Sequence, residues 1–531
     1  MWSGGIMTAS LLAASALLFP SVGSAAAVEN HEPGNVVVQA SAATPRTGIP
    51  PCDALIAAGL GDRLVLATEG GYEARIATYW SVSARLRPWC LVKPRDTEEV
   101  SRTLTTLVKA GSGAGDWHIA VRGGGHNHWA GTNNIANGVT VDLAHFNQTS
   151  YSPRTNLASV GPGDHWKDVF AALLKHNVTV AGGRDGGVGV GGFLLGGGNS
   201  YYTGRMGFGA DSVRNYEVVL ADGAVAHANN RTNPDLYKAL KGGGGNFGIV
   251  TRFDMEALPA KDLYTGIRLM SKETSDDVVD AVVDFTNHDE SLADDAMVVV
   301  YTHNTAMGDD VLIAASRVNT QGDSNTTAFA NINRIPAISS EMTHRSMADL
   351  ALNSQIPAGS RSVWFTLTFK NDASILRRAV DAHQAFVDAM KQAVGADEFT
   401  TQMVFQPLPT YFADIGRARG GGGGGGNVLG LDAEKDNAIL WLGLVTVNTE
   451  AQEAVARARM ASAAAQIEGF AADRGGDVGW RYLNYADPSQ NPLKTYGEAN
   501  VDFIRKVASE YDPEGVFQKR VPGGFKISRV D

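Results

Sequence analysis

The sequence predicts an α+β fold built from two unlike units. Three observations point there. Residues 90–258 alternate short strands with helices, whereas residues 259–479 set longer apolar segments between long helical runs. The chain also holds 61 glycines against 19 prolines, and the glycines cluster beside strands, where backbone must turn sharply or approach a ligand. With 531 residues, 44% of them hydrophobic and 8% aromatic, the chain has more than one domain's length and a sizeable core. Its 45 basic and 56 acidic residues leave a net charge of −11 without a basic stripe, which argues against nucleic acid or anionic lipid as the main partner.

At the N-terminus an apolar stretch, residues 6–19, precedes the small residues Ser21-Val22-Gly23-Ser24-Ala25-Ala26-Ala27. That is the layout of a secretory signal over residues 1–27. No Lys or Arg precedes the stretch, so an N-terminal membrane anchor is the rival, but the stretch is short for a span and no later one is long enough. We therefore expect a secreted protein with no stable membrane anchor. Residues 28–50 are polar, alanine-rich and patternless, a leader expected to be poorly ordered. Cys52 and Cys90 are the only cysteines; in an oxidising compartment such a pair bridges, the alternative being two separate buried thiols. N-x-S/T acceptors at Asn147, Asn177, Asn230 and Asn325 fit a secreted glycoprotein.

From Cys90 the spacing predicts a strand over 90–92, then a helix from Asp96 or Thr97 carrying Val100, Leu104 and Leu107 on one face. Strands are expected at 119–121, 139–143, 158–161 and 215–220, with a helix over 166–176 and a turn at Asp222-Gly223. Beyond Leu258, strands are expected at 297–301, 311–314, 363–369 and 439–447, and helices at 276–287, 374–394 and 450–470. A polar aromatic cluster follows Trp480, then a helix over 496–511 that Asp512-Pro513 ends. The run 420–426 reads as a flexible loop that could cover a pocket.

Three glycine clusters, at 123–125, 182–198 and 242–248, present backbone N–H groups without side-chain obstruction, which suits the oxygens of a pyrophosphate. Gly243-Gly244-Gly245-Asn246-Phe247-Gly248 fits the dinucleotide fingerprint G-x-G-x-x-G in letters. That fingerprint needs a strand before it and a helix after it. Here a strand pattern, Ile249-Val250-Thr251-Arg252-Phe253, follows, and a Rossmann site is rejected. His126, directly after three glycines, stands where backbone approaches a ligand, although it also reads as a loop histidine capping a polar group. No His/Cys/Asp cluster has metal spacing.

The segments Val121-Arg122-Gly123-Gly124-Gly125-His126 and Val188-Gly189-Val190-Gly191-Gly192-Phe193 resemble the flavin-binding domain of the berberine bridge enzyme-like oxidases, in the vanillyl-alcohol oxidase/PCMH-type superfamily. Gly243 to Val250, Tyr482-Leu483-Asn484-Tyr485-Ala486-Asp487 and Tyr511-Asp512-Pro513 match further signatures in the family's order, over roughly residues 50–525. The resemblance implies a two-part PCMH-type FAD-binding domain over 51–258. An α+β substrate domain with an antiparallel sheet follows over 259–479, and the segment 480–531 returns to the FAD domain.

The resemblance also implies that FAD is bonded to His126. Many relatives add a second link through a cysteine three residues before V-G-V-G-G; here that position is Asp185, so a single link is expected. Arg122, Gly123, Gly124, Gly125 and Asn127, with Gly189, Val190, Gly191, Gly192 and Phe193, are expected around the cofactor. Asn199, Gly245 and Val250 fall at further flavin positions, and Tyr482 and Asn484 close the site. Tyr485 is the expected base, although a packed tyrosine with a satisfied hydroxyl is the plain alternative. His128, Gln406 and Asn427 are weaker candidates for substrate contact. The implied reaction passes a hydride from a small alcohol, alkaloid or polyketide-like substrate to the flavin, with dioxygen as acceptor. An oligosaccharide oxidase, a dehydrogenase with another acceptor, a flavin-loaded protein without turnover and a carbohydrate-binding protein are the rivals. The oligomeric state is left open.

Overall fold

The computed structural model describes residues 47–111, 117–419 and 426–530. The expected signal, most of the leader and the glycine run 420–425 lie outside the described residues. The end of the leader is better held than its composition suggests. Thr47 donates through both N and Oγ1 to the Asp53 carboxylate, and Pro50 opens the helix Pro50–Leu55, where its missing N–H costs nothing. A disulfide joins Cys52 of that helix to Cys90 of the strand Cys90–Val92.

The first lobe has two main sheets and a two-stranded pairing of Val178–Thr179 with Leu258–Pro259. In one, Leu64–Leu66, Cys90–Val92, Gly138–Asp142 and His118–Arg122 lie side by side in that order, the last three parallel. The helix Thr97–Gly111 covers it with Val100, Leu104 and Leu107, which fall on one face at helical spacing. The other sheet is antiparallel: Thr149–Ser152, Leu157–Val160, Ile249–Glu256, Val213–Val219 and Val225–Asn229. Residues after Trp480 return to this lobe, where Tyr482, Tyr496, Ile504 and Val507 share a core with Trp166, Phe170 and Tyr216.

The second lobe is an eight-stranded antiparallel sheet. Leu263–Ser271, Leu312–Asn319, Asp295–His303, Phe399–Leu408, Ala438–Val447 and Arg361–Lys370 form its body, in that order. Two of these strands, Leu263–Ser271 and Phe399–Leu408, are not among the expected ones. Both mix Thr, Gly, Arg or Gln with apolar residues, which blurs the alternation. Three helices, Ser275–Thr286, Ala373–Val394 and Glu450–Ala472, pack on one face over Val299, Tyr301, Met403, Phe405, Trp441 and Val445. Side chains alternate along a strand, so the neighbouring residues Val298, Val300, Val404, Leu442 and Leu444 face the other way, towards the first lobe. The pleat thus gives the sheet one face for its own core and one for the interlobe cavity.

Candidate active site

Between the lobes lies a cavity of about 380 Å³. All the residues selected from the sequence for cofactor, substrate or catalysis line it, except Arg122, Val190 and Asn427. Arg122 points behind the glycine loop, its guanidinium 3.7 Å from the Tyr79 ring and bonded to the Arg75 carbonyl and the Thr78 hydroxyl. Val190 is fully buried in the core. The amide of Asn427 donates to the Asp211 carboxylate at 3.0 and 3.2 Å. Burial pushes the Asp211 carboxyl up, and Asn427 serves that buried group rather than the site.

The glycines let two loops touch backbone to backbone. A Cβ on Gly124 would stand 2.5 Å from the Gly189 Cα, and one on Gly189 would stand 2.6 Å from the Gly124 Cα. Gly196 is equally constrained: a Cβ there would meet the Asn484 Oδ1 at 1.9 Å. At Gly192 and Gly245 the same construction meets nothing within 4 Å, so these two leave open cavity. The strand Ile249–Glu256, not a helix, follows the 242–248 cluster, in accord with the rejection of a Rossmann site.

His126 sits at the end of the first glycine loop, its ring stacked on Trp80 at 4.7 Å. Its Nε2 is buried without a hydrogen bond, 4.0 Å from the Asp185 carboxylate. Burial pushes the imidazole below its ordinary value against the pull of Asp185, which keeps a neutral, nucleophilic ring at pH 7. Asp185 itself accepts from the backbone N of Gly187 at 2.7 Å and of Ile356 at 2.9 Å, fixing the loop beside His126. His128 stacks on Trp364 and burial pushes it down to about 3.

Tyr482 is a structural post. Its hydroxyl accepts from Gly198 N at 2.9 Å, Asn199 N at 2.7 Å and Asn484 Nδ2 at 3.0 Å, while Asn484 also donates to the Phe193 carbonyl. Tyr485 stands edge-on to Tyr482, with ring centroids 4.7 Å apart. Arg184 Nη2 donates to the Tyr485 hydroxyl at 2.9 Å and also to Gln406 Oε1. Gln406 Oε1 further accepts from Asn199 Nδ2 and from Tyr485, each at 3.3 Å.

Arg184, Trp80 and Lys526 are site residues that the sequence reading missed. Lys526, 2% exposed, donates through Nζ to the Gly245 carbonyl at 3.0 Å, and burial pushes its ammonium down to about 7. Among the described residues lining the cavity, Arg184 and Lys526 are the cations and Asp185 the one carboxylate. The orphaned histidine nitrogen, the open glycine faces and the two cations suit a large anionic cofactor. No group of acidic, His or Cys residues suited to a metal ion is found among the described residues.

Comparison with known proteins decides the family. Residues 88–229 match the family described as FAD binding domain. The chain is 35% identical over 480 residues to the FAD-dependent monooxygenase drtC of Aspergillus calidoustus, covering 90% of each chain. It is 34% identical to the FAD-dependent monooxygenase sdcF of Emericella nidulans, covering 90% of this chain and 98% of that one. Among solved structures it resembles 6-hydroxy-D-nicotine oxidase of Arthrobacter nicotinovorans, with TM-score 0.71, 19% identity and coverage of 88% and 97%. The glucooligosaccharide oxidase of Acremonium strictum, whose flavin is a 6-S-cysteinyl, 8α-N1-histidyl FAD, gives TM-score 0.69 at 19% identity, covering 91% and 99%. The chain belongs to the family of FAD-dependent oxidoreductases that holds these fungal enzymes. This FAD-linked oxidoreductase has the α+β, PCMH-type architecture expected from its sequence. FAD is its cofactor. None of its described helices is long and apolar enough to cross a membrane.

Proposed function

We propose that this enzyme oxidises a small organic substrate, with FAD bonded once to His126, Tyr485 as the base and dioxygen as the acceptor. The observation that carries the reading is the placing of a neutral His126 with its Nε2 free of hydrogen bonds and the Arg184-bound Tyr485 hydroxyl in one cavity. When bound, FAD supplies an acceptor for a hydride equivalent. Asp185 occupies the position of the cysteine link seen in doubly linked relatives, which supports a single bond.

The chain's own residues have distinct tasks in this account. The substrate gives up a proton to the Tyr485 oxygen as it gives up its hydride, and dioxygen leaves with two electrons and two protons as hydrogen peroxide. Taking that proton requires the Tyr485 oxygen as its phenolate, whose charge the Arg184 guanidinium would face. If the phenol becomes a phenolate it loses only the long 3.3 Å bond to Gln406 and keeps the one from Arg184. Tyr482 and Asn484 position the 193–199 turn beneath it. Lys526 would pair with the diphosphate of bound FAD, the anion its desolvated ammonium lacks. Residues 51–258 and 480–531 hold the cofactor, and residues 259–479 cover the substrate. Export and glycosylation are supported by the disulfide and by the exposure of Asn147, Asn177, Asn230 and Asn325.

A second reading follows from the names of the relatives, which are monooxygenases. There, one oxygen atom enters the product and the other leaves as water, with two electrons and two protons supplied by a reductant such as a reduced nicotinamide. Oxygen uptake during turnover separates the two. Catalase returns half of the oxygen consumed by an oxidase and none of that consumed by a monooxygenase, whose product gains label from ¹⁸O₂. Turnover undiminished in Tyr485→Phe would remove Tyr485 from the mechanism under either reading.

A further inference from the structure

We infer that the substrate is an apolar, ring-sized molecule whose reacting end carries an acidic oxygen held by Arg184. The inference rests on the reading that this cavity is the substrate site, and it narrows the substrate class. The sheet contributes Val298, Val300, Val404, Leu442 and Leu444 to the cavity wall, none of which offers a hydrogen-bond donor or acceptor, with Trp364, Gln402 and Gln406 as its polar-bearing side chains. An oligosaccharide would have to bury most of its hydroxyls against the five aliphatic side chains, with few partners to replace their lost water. An aromatic or alicyclic body loses nothing there.

Arg184 supplies the polar end. It has no ion-pair partner among the described residues, and its hydrogen bonds run only from Nη2, to the neutral oxygens of Gln406 and Tyr485. Its neighbour Asp185 is spent elsewhere, on the backbone N–H groups of Gly187 and Ile356. A guanidinium lining a largely apolar cavity, with Nε and Nη1 without partners, matches a carboxylate, phenolate or enolate. Held on that fork, the acidic oxygen would lie beside the Tyr485 hydroxyl, which Arg184 already touches.

Calorimetry on the purified holoenzyme with matched probes tests this, because its signal does not depend on the flavin or on turnover. 2-Naphthoate should bind roughly tenfold or more tightly than its neutral isostere 2-naphthamide, and cellobiose should not bind measurably. Arg184→Gln should abolish the preference for the anion while leaving 2-naphthamide affinity unchanged. Arg184→Lys, which keeps the charge and loses the fork, should retain part of it. Equal affinity for the two naphthyl probes, an unchanged preference in Arg184→Gln, or tighter binding of cellobiose would each overturn the inference. A failure of the flavin reading shows instead as loss of flavin from the protein, with the anion preference intact.

Discussion

Replacing Lys526 with Met should move stability and cofactor affinity in opposite directions. The side chain is 2% exposed, and burial with repulsion from Arg529 lowers its ammonium from 10.5 to about 7. That fall corresponds to roughly 4–5 kcal/mol against holding the charge in the cofactor-free fold. The bond to the Gly245 carbonyl offsets about 1–2 kcal/mol of the penalty at most. Met fills similar space without the charge, so the cofactor-free protein should gain about 2–4 kcal/mol near pH 7. The pH dependence has a definite sign. The unfolded chain keeps the Lys526 proton up to its ordinary value, whereas the fold releases it near 7. Stability of the cofactor-free protein therefore rises with pH between about 7 and 10, and Met removes that slope. With FAD present the balance reverses, because a charge-assisted contact to the diphosphate is lost. Such a contact is worth about 1.5–3 kcal/mol, a weakening of roughly 10- to 100-fold. The assay is a fluorescence titration in the His126→Ala background, where FAD can exchange, with riboflavin as the control that lacks phosphate. Melting of the cofactor-free proteins at pH 7 and pH 9 supplies the stability arm. If FAD and riboflavin affinities shift together, or FAD affinity is unchanged, Lys526 does not face the diphosphate.

Tyr485→Phe should leave flavin content unchanged, since the ring keeps its edge-on packing against Tyr482 and Trp364. Anaerobic bleaching of the flavin by substrate should slow by about 10²–10⁴, and slowing of less than tenfold would assign the proton to another group. Gly124→Ala forces a Cβ against the Gly189 backbone and should cost about 1–3 kcal/mol; flavin content per purified protein and thermal melting read it out, and full loading at wild-type stability would contradict the loop-to-loop contact. Asn427→Ala strips a partner from the buried Asp211 and should destabilise by about 1–3 kcal/mol without changing KM. A raised KM at wild-type stability would return Asn427 to the substrate site.

The framework of both lobes was legible because 97–111 and 373–394 bury one face at the helical period, while 439–447 is a near-continuous apolar run flanked by polar residues. Phe399–Leu408 escaped because Gln402 and Gln406, pointing into the cavity, break the apolar pattern that marks a core strand. The glycines were legible as a cradle, but the reason for Gly196 needs Asn484, a residue 288 positions away that fills the space of its absent Cβ. Arg184 lies one residue from the position examined for a second flavin link. Nothing local marks it, because its meaning comes from Gln406 and Tyr485, more than 200 residues downstream. Lys526 carries no motif at all, and only its burial under Gly245 shows it as a cavity cation. Asn427 shows the converse. A polar residue beside a glycine run looks functional in sequence, yet in the fold its amide is taken up by Asp211.

The chemistry proposed for this site stands on a bond between His126 and FAD. The most direct measurement precipitates the purified protein in acid and records the flavin spectrum of pellet and supernatant. Flavin should remain in the wild-type pellet, one per chain, and appear only in the supernatant for His126→Ala. Wild-type flavin released wholly into the supernatant would contradict it.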